Sequence, residues 1–144
     1  MLILSGADVN EANNNEVTPL IWAAEKGYIN IVKYLIDLGI DVNIRNKENV
    51  TPLIIASYKG HLEVVRLLIE SGANVDDYDE NEITSLISAS FNGYFEVVKF
   101  LVENGADVNL RDNKGLSALD YARIKNYQEI INYLTSFEVN LQLF

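Results

Sequence analysis

The sequence contains no cysteine, and this absence removes two kinds of chemistry at once. Without cysteine there is no disulfide bond and no thiolate to act as nucleophile or metal ligand, although the redox compartment stays open. Histidine occurs once, and no apolar run approaches the roughly 20 residues that a membrane helix needs. The first residues also lack the charged flank and the length of a signal peptide. We therefore expect an intracellular, cytoplasmic protein that does not act at a membrane.

Positive charge is also scarce. The chain has eleven lysines and arginines and 21 aspartates and glutamates, which gives a net charge of −10. Such a surface repels a phosphate backbone unless the basic residues form a local stripe. The basic residues are instead scattered singly along the chain, so nucleic acid is not an expected partner. With 49% hydrophobic and 22% charged residues the chain has the composition of a folded protein, and we expect a monomer.

Internal repetition is the dominant feature of the sequence. A Thr-Pro-Leu triplet returns, unchanged or altered, every 33 residues. Its copies are Thr18-Pro19-Leu20, Thr51-Pro52-Leu53, Thr84-Ser85-Leu86 and Ser117-Ala118-Leu119. Two glycine columns keep the same period: Gly27, Gly60 and Gly93 with Asn126 in the fourth place, and Gly6, Gly39, Gly72 and Gly105. Chance does not align this many columns.

Each column has a physical reason that predicts two short helices per unit. Threonine or serine caps a helix by accepting hydrogen bonds from free backbone amides, and proline suits the first helical position. Glycine ends a helix because it adopts the left-handed conformation without a Cβ penalty, and Asn126 is the next best residue type. The second helix carries apolar pairs three and four residues apart. In one unit these are Val64, Val65, Leu68 and Ile69. Small residues such as Ala23 and Ala24 would let neighbouring first helices approach closely.

One such helix pair cannot bury its apolar faces alone, so the units must stack. The sequence thus predicts an all-α fold, an α-solenoid of helix–turn–helix repeats. The pattern resembles the ankyrin repeat, through its Thr-Pro-Leu starts, the run Gly60-His61-Leu62-Glu63-Val64-Val65 and ends such as Gly105-Ala106-Asp107-Val108-Asn109. The resemblance implies L-shaped units with short β-hairpin loops. It also implies that other proteins bind at the hairpin tips and in a concave groove.

The resemblance covers nearly the whole chain, which we interpret as a single domain, residues 1–144. It divides into a partial repeat at 1–12 and repeats at about 13–45, 46–78, 79–111 and 112–144, the last with a terminal cap. Because the chain begins inside a unit, we expect a fragment of a longer protein or a frayed amino end. Two interpretations of the carboxyl end stay open. Phe137, Leu141, Leu143 and Phe144 either fold over the last helix pair or belong to a disordered tail.

Two columns depart from the ankyrin pattern. The family's histidine after Thr-Pro-Leu is replaced by Ile21, Ile54 and Ile87, and by Asp120 in the last unit. We expect apolar contact to replace the hydrogen bonds that this histidine makes between units. The family's glycine two residues before the threonine is replaced by Glu16, Asn49 and Glu82, and survives only as Gly115. We therefore expect hairpin tips of a different shape.

Candidate catalytic and metal-binding residues are few. His61 has no serine and aspartate arrangement around it and no second histidine, so it can build neither a catalytic triad nor a zinc site. We assign it a structural role. The acidic run from Asp76 to Glu82 fails as a calcium-binding EF-hand loop, because Glu82 takes the glycine position and Ser88 the final glutamate position. We interpret the run as a hairpin tip with solvated carboxylates, and expect no catalysis, no metal and no cofactor.

The groove positions of the family, carried over to this sequence, predict a partner-binding surface. They lie just before each capping residue, at the far end of each first helix and at the hairpin tips. The predicted partner-binding residues are Glu25, Glu48, Val50, Tyr58, Lys59, Tyr78, Glu80, Asn81, Ile83 and Phe91. Tyr58, Phe91 and Tyr78 are the main candidates because aromatic residues often anchor interfaces. For Val50 and Ile83 a purely structural role, packing hairpin onto helix, stays open.

We therefore expect a non-catalytic protein–protein interaction module. A groove that mixes apolar residues with acidic edges suits another protein or peptide that is basic or amphipathic. Two alternatives stay open. The repeats could be a targeting segment of a longer chain whose catalytic domain lies elsewhere, or a structural or engineered scaffold.

Overall fold

Eight helices in two layers form the part of the chain that the structure describes. The computed structural model describes residues 18–142, with side chains through Phe137. The helices are α1 (Pro19–Lys26), α2 (Ile29–Asp37), α3 (Pro52–Lys59), α4 (Leu62–Glu70), α5 (Ser85–Phe91), α6 (Phe95–Glu103), α7 (Ala118–Lys125) and α8 (Gln128–Gln142). Two isolated antiparallel bridges, Tyr78 with Thr84 and Arg111 with Ser117, supply the β-structure of this range. The fold is all-α with paired helices in stacked repeats, as predicted.

Some expectations concern residues outside this range. The partial repeat at 1–12, the beginning of the 13–45 unit with Glu16, and Leu143 and Phe144 lie outside the described residues. Within residues 18–142, no helix has the combination of length and apolar character needed to cross a membrane.

The first helix of every unit begins at a capping hydroxyl group. Each hydroxyl oxygen accepts a hydrogen bond of 3.2 Å from the backbone amide three residues later. The capping residues are Thr18, Thr51, Thr84 and Ser117. In the last unit Asp120 also accepts from the Ser117 amide at 2.9 Å, which completes a capping box. The most prominent column of the sequence therefore starts the helices for the physical reason given above.

Each helix contacts its counterpart in the next unit. Helices α1, α3, α5 and α7 form the first layer, helices α2, α4, α6 and α8 form the second, and the two helices of one unit also contact each other. Ala23, Ala24, Ala56 and Ala89 are fully buried in the first layer, because small side chains let the helix backbones approach closely. The core is therefore continuous along the stack, and no unit buries its apolar face alone.

The isoleucines that replace the ankyrin histidine lie in this core. Ile21, Ile54 and Ile87 are exposed to only 4%, 4% and 2%. Apolar burial thus takes the place of the histidine, as expected. Hydrogen bonds between units come from other residues. For example, Asn43 accepts from the Asn74 amide at 2.8 Å and donates to the Gly72 carbonyl at 3.2 Å.

Consecutive units also meet where a ring covers the glycine that follows a first helix. His61 lies over Gly27, Tyr94 over Gly60 and Tyr127 over Gly93, and a Cβ on these glycines would lie 2.7 to 2.8 Å from the nearest ring atom. The His61 ring also forms a 3.0 Å hydrogen bond through Nε2 to the Glu25 carbonyl. His61 is therefore structural, as predicted. The glycine column has a second role that the sequence analysis missed, which is to leave room for the next unit.

The last helix is longer than the repeat pattern predicts. Helices α2, α4 and α6 stop just before Gly39, Gly72 and Gly105, and the next place of that column is Glu138. Without a residue that favours the left-handed conformation, α8 continues to Gln142. The Phe137 ring lies 5.4 Å from that of Tyr133. Through Gln142 the backbone therefore continues the helix. The side chains of Leu141, Leu143 and Phe144, on which the two interpretations of the carboxyl end depend, lie outside the described residues.

Candidate partner-binding groove

The loops before α3, α5 and α7 form three hairpin tips with one geometry. In each tip, the side-chain oxygen of the first residue accepts two backbone amides at 2.8 to 3.0 Å. The acceptors are Asn46 (from Glu48 and Val50), Asp79 (from Asn81 and Ile83) and Asp112 (from Lys114 and Leu116). A backbone hydrogen bond from the same first residue closes each tip. These side chains impose the turn locally.

The expectation of differently shaped tips was therefore wrong. Asn49 and Glu82 adopt φ values of 62° and 63°, beside 79° at Gly115. The two side-chain hydrogen bonds of each tip hold the backbone in the left-handed conformation even where the residue is not glycine. The signal in the sequence was the asparagine or aspartate three residues earlier, a residue type that builds such turns.

The tips lie side by side in chain order. The Glu80 amide donates to the Glu48 carbonyl at 3.0 Å, and the Asn113 amide donates to the Asn81 carbonyl at 3.0 Å. These bonds join the first tip to the second and the second to the third, so the three tips lie along one edge of the stack. Glu48, Asn81 and Lys114 occupy the same position in successive tips, so they form one row.

A cleft of about 470 Å³ is bounded by these tips and by the first helices. Five predicted partner-binding residues line it: Glu48, Val50, Tyr58, Ile83 and Phe91. The lining is completed by Ile54, Ile55, Asp79, Ile87, Ser88, Lys114 and Tyr121. A neighbouring cleft of about 400 Å³ shares Glu48, Val50 and Ile55 with it and includes Glu25. We call the two clefts together the groove, whose volume is in the range of known ligand sites.

Four predicted residues lie outside both clefts. Tyr78 is 55% exposed, and its carbonyl accepts from Arg45 at 2.9 Å. Glu80 and Asn81 are exposed at the second tip, where their backbone groups join it to its neighbours. The ammonium nitrogen of Lys59 lies 5.8 Å from the centroid of the Tyr58 ring, beside the groove. The predicted partner-binding residues thus comprise six that line the groove and four that lie around it.

Two family models match the sequence. One, described as ankyrin repeats (3 copies), matches residues 1–79, and another, described as ankyrin repeats (many copies), matches residues 68–122. The chain belongs to the ankyrin repeat family. No curated protein matches the chain. Ankyrin repeats are generally protein–protein interaction modules, and neither match is to a catalytic domain.

The acidic run of this ankyrin chain is mostly structural. Asp76 accepts from the Asp107 amide at 3.0 Å, Asp77 pairs with Arg45 at 3.1 Å, and Asp79 shapes its own tip. The expectation of solvated carboxylates was therefore wrong for these three and holds for Glu80 and Glu82, which are exposed. Across residues 18–142, no group of three or more histidine, aspartate or glutamate side chains is placed to hold a metal ion.

The two aromatic anchors predicted for the groove differ in accessibility. Tyr58 is 44% exposed at the end of α3. Phe91 is half-buried, because its ring packs edge-on against the Tyr121 ring, with 5.4 Å between the two centroids. The Lys125 ammonium also lies 4.5 Å from the centroid of the Phe91 ring. Tyr58 is therefore the ring that a partner can enclose, whereas Phe91 forms part of the groove wall.

A partly buried hydrogen bond that the sequence analysis missed supports this wall. The Tyr121 hydroxyl donates to the Asp112 carboxylate. Burial, the hydrogen bond and the negative charge of Asp112 together raise the pKa of Tyr121 to about 12. Burial alone would raise the pKa of Asp112. The hydrogen bonds from Tyr121 and from the Leu116 and Lys114 amides, with the Lys114 charge, outweigh it and hold that pKa below 3.8.

Proposed function

We propose that this ankyrin chain is a non-catalytic module that binds an apolar or amphipathic segment of another protein in the groove. The observation that carries the proposal is the cleft of about 470 Å³, whose lining is mostly aliphatic and aromatic and whose rim includes the exposed Tyr58. A concave apolar site with a few polar groups is the usual form of a binding site, and exposed aromatic residues often dominate binding energy.

Charge supports the same proposal. The net charge of −10 attracts partners that carry basic residues, and Glu25 and Glu48 place acidic groups at the groove itself. The residues proposed to contact the partner are Glu25, Glu48, Val50, Tyr58, Lys59, Tyr78, Glu80, Asn81, Ile83 and Phe91. We also propose that residues 1–144 act as one domain of successive repeats, since the same columns recur along the chain.

The test is to select binders from random 16-residue peptides displayed on phage and to measure their affinities for the chain by fluorescence anisotropy. Tyr58→Ala is expected to weaken the selected peptides about tenfold or more, because it removes an exposed ring at the groove. Tyr34→Ala is the matched control, since Tyr34 is 54% exposed on α2 and lines neither cleft. Recovery of no binding peptide, or an equal loss in both variants, would contradict the proposal.

A further inference from the structure

We propose that the groove has opposite charges at its two ends and therefore dictates the direction in which a ligand binds. The ligand is a peptide segment of another protein with an apolar anchor in its middle. It carries a basic residue towards Glu48 and an acidic residue towards Lys114. This inference rests on the proposed function and specifies the partner chemistry of the same site.

The row of tip residues provides the first observation. Glu48, Asn81 and Lys114 occupy equivalent positions in consecutive tips, and backbone hydrogen bonds of 3.0 Å join the first tip to the second and the second to the third. Charge along this edge therefore changes from negative through neutral to positive. Glu48 and Lys114 both line the main cleft, so both ends of the row lie at the site itself.

The ends of the first helices provide a second, independent row. Glu25, Tyr58 and Phe91 occupy equivalent positions in α1, α3 and α5. Glu25 lines the neighbouring cleft together with Glu48, and at the other end the Lys125 ammonium lies 4.5 Å from the Phe91 ring centroid. The edge of tips thus changes from Glu48 through Asn81 to Lys114, and the edge of helix ends changes from Glu25 through two aromatic rings to the Lys125 ammonium.

Other charged groups near the groove do not reverse this order. One carboxylate oxygen of Asp79 accepts two backbone amides of its own tip, at 2.8 and 3.0 Å. Lys59 lies beside Tyr58 in the middle of the row. Lys47 lines the neighbouring cleft with Glu25 and Glu48, which leaves two acidic residues against one basic residue there.

The spacing of the two ends sets the spacing of charges in the ligand. Packed helices lie 8–10 Å apart, so two steps from Glu48 to Lys114 span about 16–20 Å. An extended peptide covers that distance in about five or six residues, and a helical one in about 11–13. The apolar anchor belongs within this span, at the part of the groove that Tyr58 of α3 and Phe91 of α5 line.

Glu48 and Lys114 are suitable positions for substitution, although the Lys114 charge also acts on Asp112. Both side chains are exposed, and the hydrogen bonds found for these residues in the described part of the chain come from their backbone groups. The double variant Glu48→Lys/Lys114→Glu exchanges the ends and keeps the net charge at −10. Circular dichroism checks that it folds.

The experiment uses a peptide from the phage selection whose binding depends on Tyr58, and a second version in which its basic and acidic residues are exchanged. The original peptide is expected to bind wild type about tenfold more tightly than the double variant, and the exchanged peptide to show the reverse preference. The single variants Glu48→Gln and Lys114→Gln provide a second measurement. Each is expected to remove the dependence on one peptide charge only.

Two results would overturn the inference. One is that the selected peptides carry no opposite charges at either spacing. The other is that exchanging the charges changes the affinity less than twofold for both proteins. If Tyr58→Ala still weakens binding in either case, the proposed function survives and only the direction of the ligand is wrong. If Tyr58→Ala has no effect, the proposed function fails, and this inference fails with it.

Discussion

Glu82 holds a backbone conformation that glycine adopts at lower cost. Its φ is 63°, and the equivalent residue of the next tip is Gly115 with φ 79°. The left-handed conformation costs a non-glycine residue about 1–2 kcal/mol. We expect Glu82→Gly to raise the free energy of unfolding by about 0.5–1 kcal/mol, because relief of this cost exceeds the added entropy of the unfolded glycine. Urea denaturation measures the change.

Glu80→Gly is the matched control for this substitution. It removes the same charge from the same tip, but Glu80 is not among the residues with positive φ. Here glycine brings only its entropic cost, so we expect a loss of about 0.5–1 kcal/mol. A similar loss in both variants would show that Glu82 is not strained.

The Tyr121–Asp112 pair makes stability depend on pH at both extremes. The pKa of Asp112 is lowered in the folded chain, so its contribution is complete above the unfolded carboxyl pKa and is lost as the pH falls through the folded value. The pKa of Tyr121 is raised to about 12, so its contribution is complete below pH 10 and is lost as the pH rises towards 12. The pair is therefore fully effective at neutral pH.

Tyr121→Phe tests this pair. We expect it to lower the free energy of unfolding by about 1–3 kcal/mol at pH 7, because it removes one of the three hydrogen bonds that the Asp112 carboxylate accepts. The difference from wild type should shrink as the pH falls through the folded pKa of Asp112. Tyr78→Phe, at a 55% exposed ring, is the control and should change stability little at any pH. A difference that stays constant down to low pH would contradict the assignment.

Individual residues were predictable where their role depends only on near neighbours in the chain. The capping role of Thr51 follows from helix geometry, and the structure has it accept from the amide of Ile54. The Tyr121–Asp112 bond was not predictable, because it joins residues nine apart whose approach depends on how the tip meets its helix. The packing of the Phe91 ring was likewise not predictable, because Tyr121 belongs to the next unit.

At the scale of helices and loops, Gly60 lies where two units contact each other. A Cβ there would lie 2.7 Å from the Tyr94 ring of the next unit, and its φ is 77°. Gly72 has a φ of 100°, and a Cβ at this residue would have nothing within 4 Å. Gly72→Ala therefore measures the cost of backbone strain without the cost of crowding. We expect Gly60→Ala to cost about 1–3 kcal/mol more than Gly72→Ala, because a displaced ring disrupts packing as well. Denaturant unfolding of both variants measures this difference.

A double-mutant cycle separates crowding from other effects at this contact. Tyr94→Ala removes the ring that a new Cβ would meet, so Gly60→Ala should cost less in that background by more than about 0.5 kcal/mol. Gly72→Ala should cost the same with or without Tyr94. Full additivity at Gly60 would mean that the ring does not limit this position.

Helices and their order were predictable because period, cap and glycine column agree in the units before the last. The end of α8 was not, because Glu138 replaces the glycine and nothing local replaces its signal to stop. The groove was predicted only as a set of positions. Its actual wall depends on distances between side chains of different units, such as Val50, Ile83 and Phe91, and sequence spacing does not define those distances.

At the scale of the whole molecule, stability is distributed along the stack. Each helix contacts its own partner and the neighbouring units, so the free energy of unfolding is approximately a sum over units and the interfaces between them. Weakening one interface should therefore separate the unfolding of its two sides. The single tryptophan, Trp22 in α1, reports one end of the described stack, and circular dichroism reports all helices.

Arg45 and Arg111 allow this coupling to be tested with one matched pair. Arg45 donates to the Asn49 carbonyl of its own tip and also joins the next loop, through the Tyr78 carbonyl at 2.9 Å and the Asp77 carboxylate at 3.1 Å. Arg111 donates to the Gly115 carbonyl and to Asp120, and both partners lie in the tip and the first helix that directly follow it. Each alanine variant removes one positive charge and one bond to a tip. Only Arg45→Ala removes a connection to the loop that follows the next helix pair, at Asp77 and Tyr78.

We expect the two alanine variants to differ in cooperativity more than in overall stability. In Arg45→Ala the transition followed by Trp22 fluorescence should occur at lower urea concentration than the one followed by circular dichroism, because the part from α1 to α4 can then unfold separately from α5 to α8. In Arg111→Ala the two transitions should stay coincident, the sign of a single cooperative step. Coincident transitions in both variants would mean that contacts between the first helices alone couple the units, and that the polar bonds between neighbouring loops add little to the cooperativity of the stack.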